Sequence, residues 1–231
     1  LFCSFHPVPC SLPPVSTSLP PLPAALPPLP AALPHHSEHG SPASALVERT
    51  NLAPFSFFTG VGSNPLSLLF CPALNERGEE KDTLRNAKPA DEGGAGEFVV
   101  SVATHALARK VAATAEVLAY GESEFEAFGL TPATSRVVRP PRVMESPLSF
   151  ECVTDRVIRM NPGAPAGGVI VIGRIVSVHA AEGIVNERHH VDPAALDAIA
   201  RLGGFDYCTT RDRFQMAPGR RALDATPPTG G

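Results

Sequence analysis

Two short stretches of this chain gather the side chains best suited to hold a charged or polar ligand. In Asn51-Leu-Ala-Pro-Phe-Ser-Phe-Phe-Thr-Gly-Val-Gly-Ser-Asn-Pro65, small hydroxyl and amide groups sit among aromatics beside a turn. In Lys81-Asp-Thr-Leu-Arg-Asn86, a cation, a hydroxyl and an amide fall within little more than one helical turn. At a helix start the backbone N–H groups lack intrahelical partners and the peptide dipoles favour negative charge, so the second stretch suits an anion. A purely structural reading of the same residues also stands: an edge strand with its turn, and a capped surface helix. On residue types alone that reading is the simpler one.

Other chemistries find little support. There is no G-x-G-x-x-G, no Walker loop, no H-E-x-x-H and no G-x-S-x-G elbow. The Gly93-Gly94-Ala95-Gly96 loop precedes a strand instead of opening a helix, which argues against a phosphate cradle. His35, His36 and His39 lie in a proline-rich tail with no scaffold to fix a metal geometry. Cys3, Cys10, Cys71, Cys152 and Cys208 show no C-x-x-C pair or regular spacing, so plain reduced thiols in a reducing, cytoplasmic compartment are expected.

The elements that must position these groups occupy only part of the 231 residues. Nearly half of the 26 prolines precede Ser44, and Leu-Pro-Pro-Leu-Pro-Ala-Ala occurs at Leu19–Ala25 and again at Leu26–Ala32. Residues 1–44 therefore read as a disordered, polyproline-II-biased tail, either an SH3- or WW-type ligand or an inert linker. A single domain over 45–216 and a flexible tail over 217–231 complete the expected organisation. The net charge of −4 shows no basic clustering of the kind nucleic-acid binding needs. No apolar run approaches the ~18 residues that a membrane span requires, and the N-terminus lacks the charged start of a secretory signal. Neither nucleic acid nor membrane is expected as a partner.

Within the domain, strands are expected at Pro54–Phe58 and Leu66–Cys71 around a Gly62–Pro65 turn, and at Phe98–Ala103. Two long strands follow at Leu148–Ile158, with Leu148, Phe150 and Cys152 inward, and at Val169–His179. Helices are expected from Asp82, with Asp82 and Thr83 as caps, over His105–Leu118 with Leu107, Val111 and Leu118 on one stripe, and over Glu122–Phe128. A last helix begins at Asp192-Pro193 and stops at Gly203-Gly204. Strands dominate, which favours a barrel with peripheral helices over a doubly wound sheet.

The ordered set of segments resembles the flavin reductase-like family of FMN-binding split β-barrels. It comprises Asn51–Pro65, Lys81-Asp82-Thr83 with Asn86, Gly129-Leu-Thr-Pro132, Arg139-Pro-Pro-Arg-Val-Met-Glu-Ser-Pro147, Glu151-Cys152, Gly173–His179 and Arg201–Tyr207, and so covers Asn51 to about Phe214. The resemblance implies a mainly β split barrel, a homodimer with FMN at or near the subunit interface, and NAD(P)H as hydride donor, with the hydride chemistry belonging to the cofactor and no dedicated catalytic residue. Carried over by position, Phe55, Ser56, Phe57 and Phe58 face the flavin. Ser63 and Asn64 lie at its ribityl or phosphate end, and Lys81, Thr83 and Asn86 anchor the phosphate. One departure stands out: the place of the family's first strand is held by Ala43–Thr50 behind the proline tail. An NAD(P)H-dependent flavin oxidoreductase is the leading expectation. The alternatives are an FMN-bound electron carrier without free-flavin reductase activity and a truncated, non-enzymatic remnant.

Overall fold

The computed structural model describes residues 50–119 and 122–224. The proline-rich tail, all but Thr50 of the Ala43–Thr50 stretch, residues 120 and 121 and the last seven residues lie outside these ranges.

The described chain is mainly β. One antiparallel sheet takes β1 (Phe58–Ser63), β2 (Leu66–Phe70), β3 (Glu97–Ser101), β6 (Leu148–Arg159) and β7 (Val169–Ala180) in the order β1-β2-β7-β6-β3. Two small ribbons stand apart from it. One pairs β4 (Pro132–Ala133) with β5 (Arg142–Val143), and the other pairs β8 (Ile199–Gly203) with β9 (Asp206–Thr209). The long pair β6–β7 forms the spine. Its register shifts twice, between Glu151 and Cys152 and between Thr154 and Arg156, and such bulges sharpen the local twist that curls a sheet toward closure.

Alternation explains which face is buried. Leu68, Phe70, Phe98, Val100, Cys152, Val169 and Val171 point to one side, where Leu84 and Ala87 of helix α1 (Asp82–Ala87) complete the core. Gly173 lies in the same layer, and a Cβ there would stand 2.5 Å from Cζ of Phe98, so only glycine lets that ring rest on the sheet. A smaller cluster joins Leu107, Phe125, Leu130 and Val143, with Leu52 and Val111 packed against it.

Several boundaries differ from expectation for identifiable reasons. The first strand begins at Phe58 instead of Pro54, since Pro54 has no N–H to give a ladder. The expected His105–Leu118 helix is a 3-10 turn, His105–Leu107, followed by α2 (Ala108–Ala113). It ends where the Thr114 hydroxyl donates to the Val111 carbonyl, and Leu118 falls beyond it. Helix α1 is capped by Lys81 with no side-chain bond, because Asp82 pairs with Arg85 and the Thr83 hydroxyl is engaged by Asn51. Helix α3 covers only Glu124–Ala127 before the positive φ of Gly129.

The Asp192 carboxylate does cap α4 (Pro193–Leu196), accepting from the N–H groups of Ala194 and Ala195. The helix then stops four residues in, where Asp197 turns left-handed at φ 45°, and Ile199–Gly203 is strand, not helix. The last described element is α5 (Arg221–Asp224), which buries nothing.

Candidate functional site

Among the described residues the sheet has two outer strands, β1 and β3, and the free edge of β3 borders the site. β3 pairs with β6 on one side, and no described strand pairs with it on the other. Along that edge lies a cavity of about 560 Å³, within the range of small-molecule and cofactor sites. Every residue from Glu97 to Ala103 lines it. A strand alternates its faces, so an unbroken run of lining residues means that the strand's edge, backbone included, borders the space.

Opposite β3 runs the irregular segment from Thr50 to Phe55. It is held by side chains of remote sequence. The Ser123 hydroxyl donates to the Thr50 carbonyl at 2.9 Å, and the Leu52 N–H donates to Glu124 Oε2 at 2.8 Å. Burial pushes the Glu124 carboxyl up, and nearby Asp82 adds to this, outweighing the Leu52 N–H that favours the charged form. Asn51 ties the segment to α1: its Nδ2 donates to Thr83 Oγ1 and its Oδ1 accepts from Asn86 Nδ2, both at 2.7 Å. Thr83 acts as acceptor in that bond and keeps its hydroxyl proton to donate, while Asn86 keeps the second hydrogen of its Nδ2 amide to donate.

The third wall is a strap over Arg139, Pro140 and Pro141. The N–H and Nε of Arg139 both donate to Glu97 Oε2, at 3.1 and 3.0 Å. The floor is apolar, formed by Phe70, Phe98, Leu107, Val111, Phe125 and Leu130. The space thus has an apolar body with a polar rim at α1 and a lip formed by the Arg139–Glu97 ion pair.

The nine residues expected to contact a ligand divide into groups. Phe55, Thr83 and Asn86 line the cavity. Phe58 packs against the main core beside it. Ser56 is half-buried and Lys81 is exposed at the start of α1; neither lines the cavity. Phe57 is 62% exposed. Ser63 and Asn64 sit exposed at the far end of the β1–β2 ribbon, ~17 Å along the strand from Phe58 at about 3.4 Å per residue. One copy of the described chain therefore does not bring the set together.

Reading the sequence missed three participants. Asn51 opens the aromatic stretch, but its partners stand more than thirty residues away and leave no local signal. Glu124 and Glu151 look like ordinary surface carboxylates in sequence yet are buried, with backbone N–H groups as partners. Among the described residues no three His, Cys, Asp or Glu side chains gather as a metal site, and no helix is long and apolar enough to cross a membrane. Cys71, Cys152 and Cys208 are free thiols, and burial next to Glu151 pushes the Cys152 thiol up to about 12, far from reactive.

A family model described as a flavin reductase like domain matches residues 40–195. An uncharacterized protein of Deinococcus radiodurans is 35% identical over 169 residues, 72% of this chain and 70% of its own. The crystal structure of nitrilotriacetate monooxygenase component B from Bacillus cereus superposes with a TM-score of 0.64 at 34% identity, covering 71% of this chain and 78% of that one. A candidate flavin reductase with a split barrel domain from Shewanella frigidimarina gives 0.63 at 26% identity, covering 74% and 80%.

Proposed function

The chain belongs to the flavin reductase-like family and has its split-barrel fold, and from that premise we propose that it binds FMN and passes hydride from NAD(P)H to flavin. The observation that carries this reading is the cavity itself: an apolar body beside a polar rim at Thr83 and Asn86, which suits a flat, amphiphilic ring system with a polar tail. The residues present fit such a group. Phe55 offers an aromatic wall, and Thr83 retains a hydroxyl donor. Lys81, which no described carboxylate pairs, supplies a cation one turn from Asn86. Lys81, Thr83 and Asn86 hold the phosphate in this reading, while Ser56 and the Phe55–Phe58 backbone border the ring.

When bound, the flavin supplies the hydride-accepting chemistry. The protein's own work is to orient the ring and keep water from one face, and no side chain is needed as acid or base. Ser63 and Asn64 stand too far along the β1–β2 ribbon to serve the same cavity, which supports a homodimer whose ribbon serves the partner's site. Phe57, Val61 and Leu66 leave that ribbon 62%, 51% and 49% exposed, an apolar surface that a second copy would cover. The free thiols of the three described cysteines support a reducing, cytoplasmic setting.

The purified 231-residue chain tests the reading directly. Retained or titrated FMN, seen as flavin absorbance, together with NAD(P)H oxidation that depends on added FMN, is the expected result. FMN binding without that oxidation makes the protein an electron carrier. No FMN binding at any accessible concentration overturns both and leaves the non-enzymatic remnant.

A further inference from the structure

β6 carries a carboxylate at a position closed off from water. Glu151 is 1% exposed and sits beside the first bulge of the strand. Its Oε1 accepts the N–H of Arg136 at 2.9 Å, and its Oε2 accepts those of Val137 at 2.7 Å and Val138 at 3.2 Å. Burial alone would push this carboxyl up. The three N–H groups and the Ser177 side chain outweigh that and hold it below the usual carboxylate range.

The convergence has a structural reason. Between β4 and β5 the chain has no regular structure, so three successive N–H groups there have no ladder to join. Left unpaired against the sheet they would be costly, and one buried carboxylate satisfies all three. The strap so fixed continues directly into Arg139, Pro140 and Pro141, the third wall of the cavity. Its other end is tied to β3 by Glu97. Past that second tie the two prolines fix their own φ angles, and the Ser135 hydroxyl donates to the Pro140 carbonyl at 2.6 Å, so the strap has little freedom left.

We infer that Glu151 is a positioning residue for the cavity: without touching a ligand, its carboxylate sets the Arg136–Pro141 strap as the lip against which the ligand is held. The inference rests on the proposed flavin site and names the element of that site whose geometry is set from behind the sheet.

The test uses the full chain carrying Glu151→Gln, which keeps the volume but turns an amide donor toward at least one of the three N–H donors. Two quantities are read: amide hydrogen exchange over residues 134–141, and FMN affinity by titration. A Val157→Ala variant, on the same strand but away from the strap, controls for lost stability. The expected result is faster exchange confined to the strap, with FMN affinity about tenfold weaker than in a Val157→Ala protein of similar melting temperature. Should Glu151→Gln fail to fold, Val137→Pro removes one of the three donors from an exposed position and is read in the same two ways. Faster exchange with unchanged FMN affinity overturns the inference, as does unchanged exchange. If the wild-type protein binds no FMN, the flavin reading fails, and exchange over 134–141 still decides whether Glu151 holds the strap.

Discussion

The two sides of this molecule are held together by different physics. Around the β6–β7 spine, order comes from alternation: Leu68, Cys152, Val169 and Val171 are at most 2% exposed, and their burial follows from the period of the strands. Along the open edge of β3, the walls of the cavity are irregular backbone, and their order comes from single polar side chains reaching across the chain. Ser123 and Glu124 hold Thr50 and Leu52, Asn51 holds α1, Glu151 and Glu97 hold the strap, and Glu145 accepts from the N–H and hydroxyl of Thr131. The first region resists by summed apolar area. The second depends on a few bonds; apart from the exposed Glu145–Thr131 pair, each has a buried or half-buried partner that water does not replace at equal strength.

That contrast can be broken experimentally. The largest effect belongs to the spine. Val171→Asp places an unpaired charge at a fully closed position and should cost on the order of 4 kcal/mol or more, abolishing cooperative melting. A clean transition near the wild-type temperature would show that the core is looser than its packing indicates.

On the cavity side, Lys81→Ala should leave the melting temperature within about a degree, since Lys81 is exposed and unpaired among the described residues. FMN binding should weaken by about one to two orders of magnitude through loss of a charge-assisted bond, with riboflavin, which lacks the phosphate, scarcely affected. Equal losses for both ligands would move Lys81 away from the phosphate.

Val111 bridges the smaller cluster and the Ala103–Ile199 contact and is only half-buried. Val111→Ala should therefore cost about 1 kcal/mol in urea unfolding, well below the penalty at Val171. A loss comparable to that of Val171→Asp would make the cavity floor part of the main core.

The smallest effect is the most diagnostic, because its sign changes with the carboxylate chosen. Glu124 has its carboxyl raised above the ordinary value, chiefly by burial, so its ionisation disfavours the folded state and the penalty is relieved as pH falls through the raised value. Glu124→Gln keeps an acceptor for the Leu52 N–H. It should be neutral or stabilising by up to about 0.5 kcal/mol at neutral pH, with the gain vanishing in acid. Glu151 is lowered, so its stabilisation is present above the unfolded carboxylate value and lost as pH falls through the folded one. Parallel pH dependence of the two Gln variants would contradict this opposition.

The same division governs what could be read in advance. The β6–β7 pair, the β2 strand and the Asp192 cap follow from local spacing, and the structure has them within a residue or two. Ile199–Gly203 did not follow. Its apolar positions fit a helical continuation of Ala194 and Leu196 as well as a strand, and the deciding events are the left-handed Asp197 and the pairing with Asp206–Thr209. Phe55, Thr83 and Asn86 all line the cavity. The bond that joins Thr83 and Asn86 runs through Asn51, and the partners that bury Glu124 and Glu151 are backbone N–H groups, which carry no residue-type signature at all.

Gly173 carries a consequence for the size of the site. The ring of Phe98 rests on the bare backbone there, meets Phe70 at a centroid distance of 5.1 Å, and Phe70 in turn meets Phe55 at 5.0 Å. All three rings border the cavity. A single methyl group added at Gly173 would have to displace the first ring, and close packing would hand the displacement on to the next. The bore of the cavity is thus gauged by an absent side chain two strands away from β3, and anyone wishing to narrow or reshape the site has a handle that no ligand would ever touch.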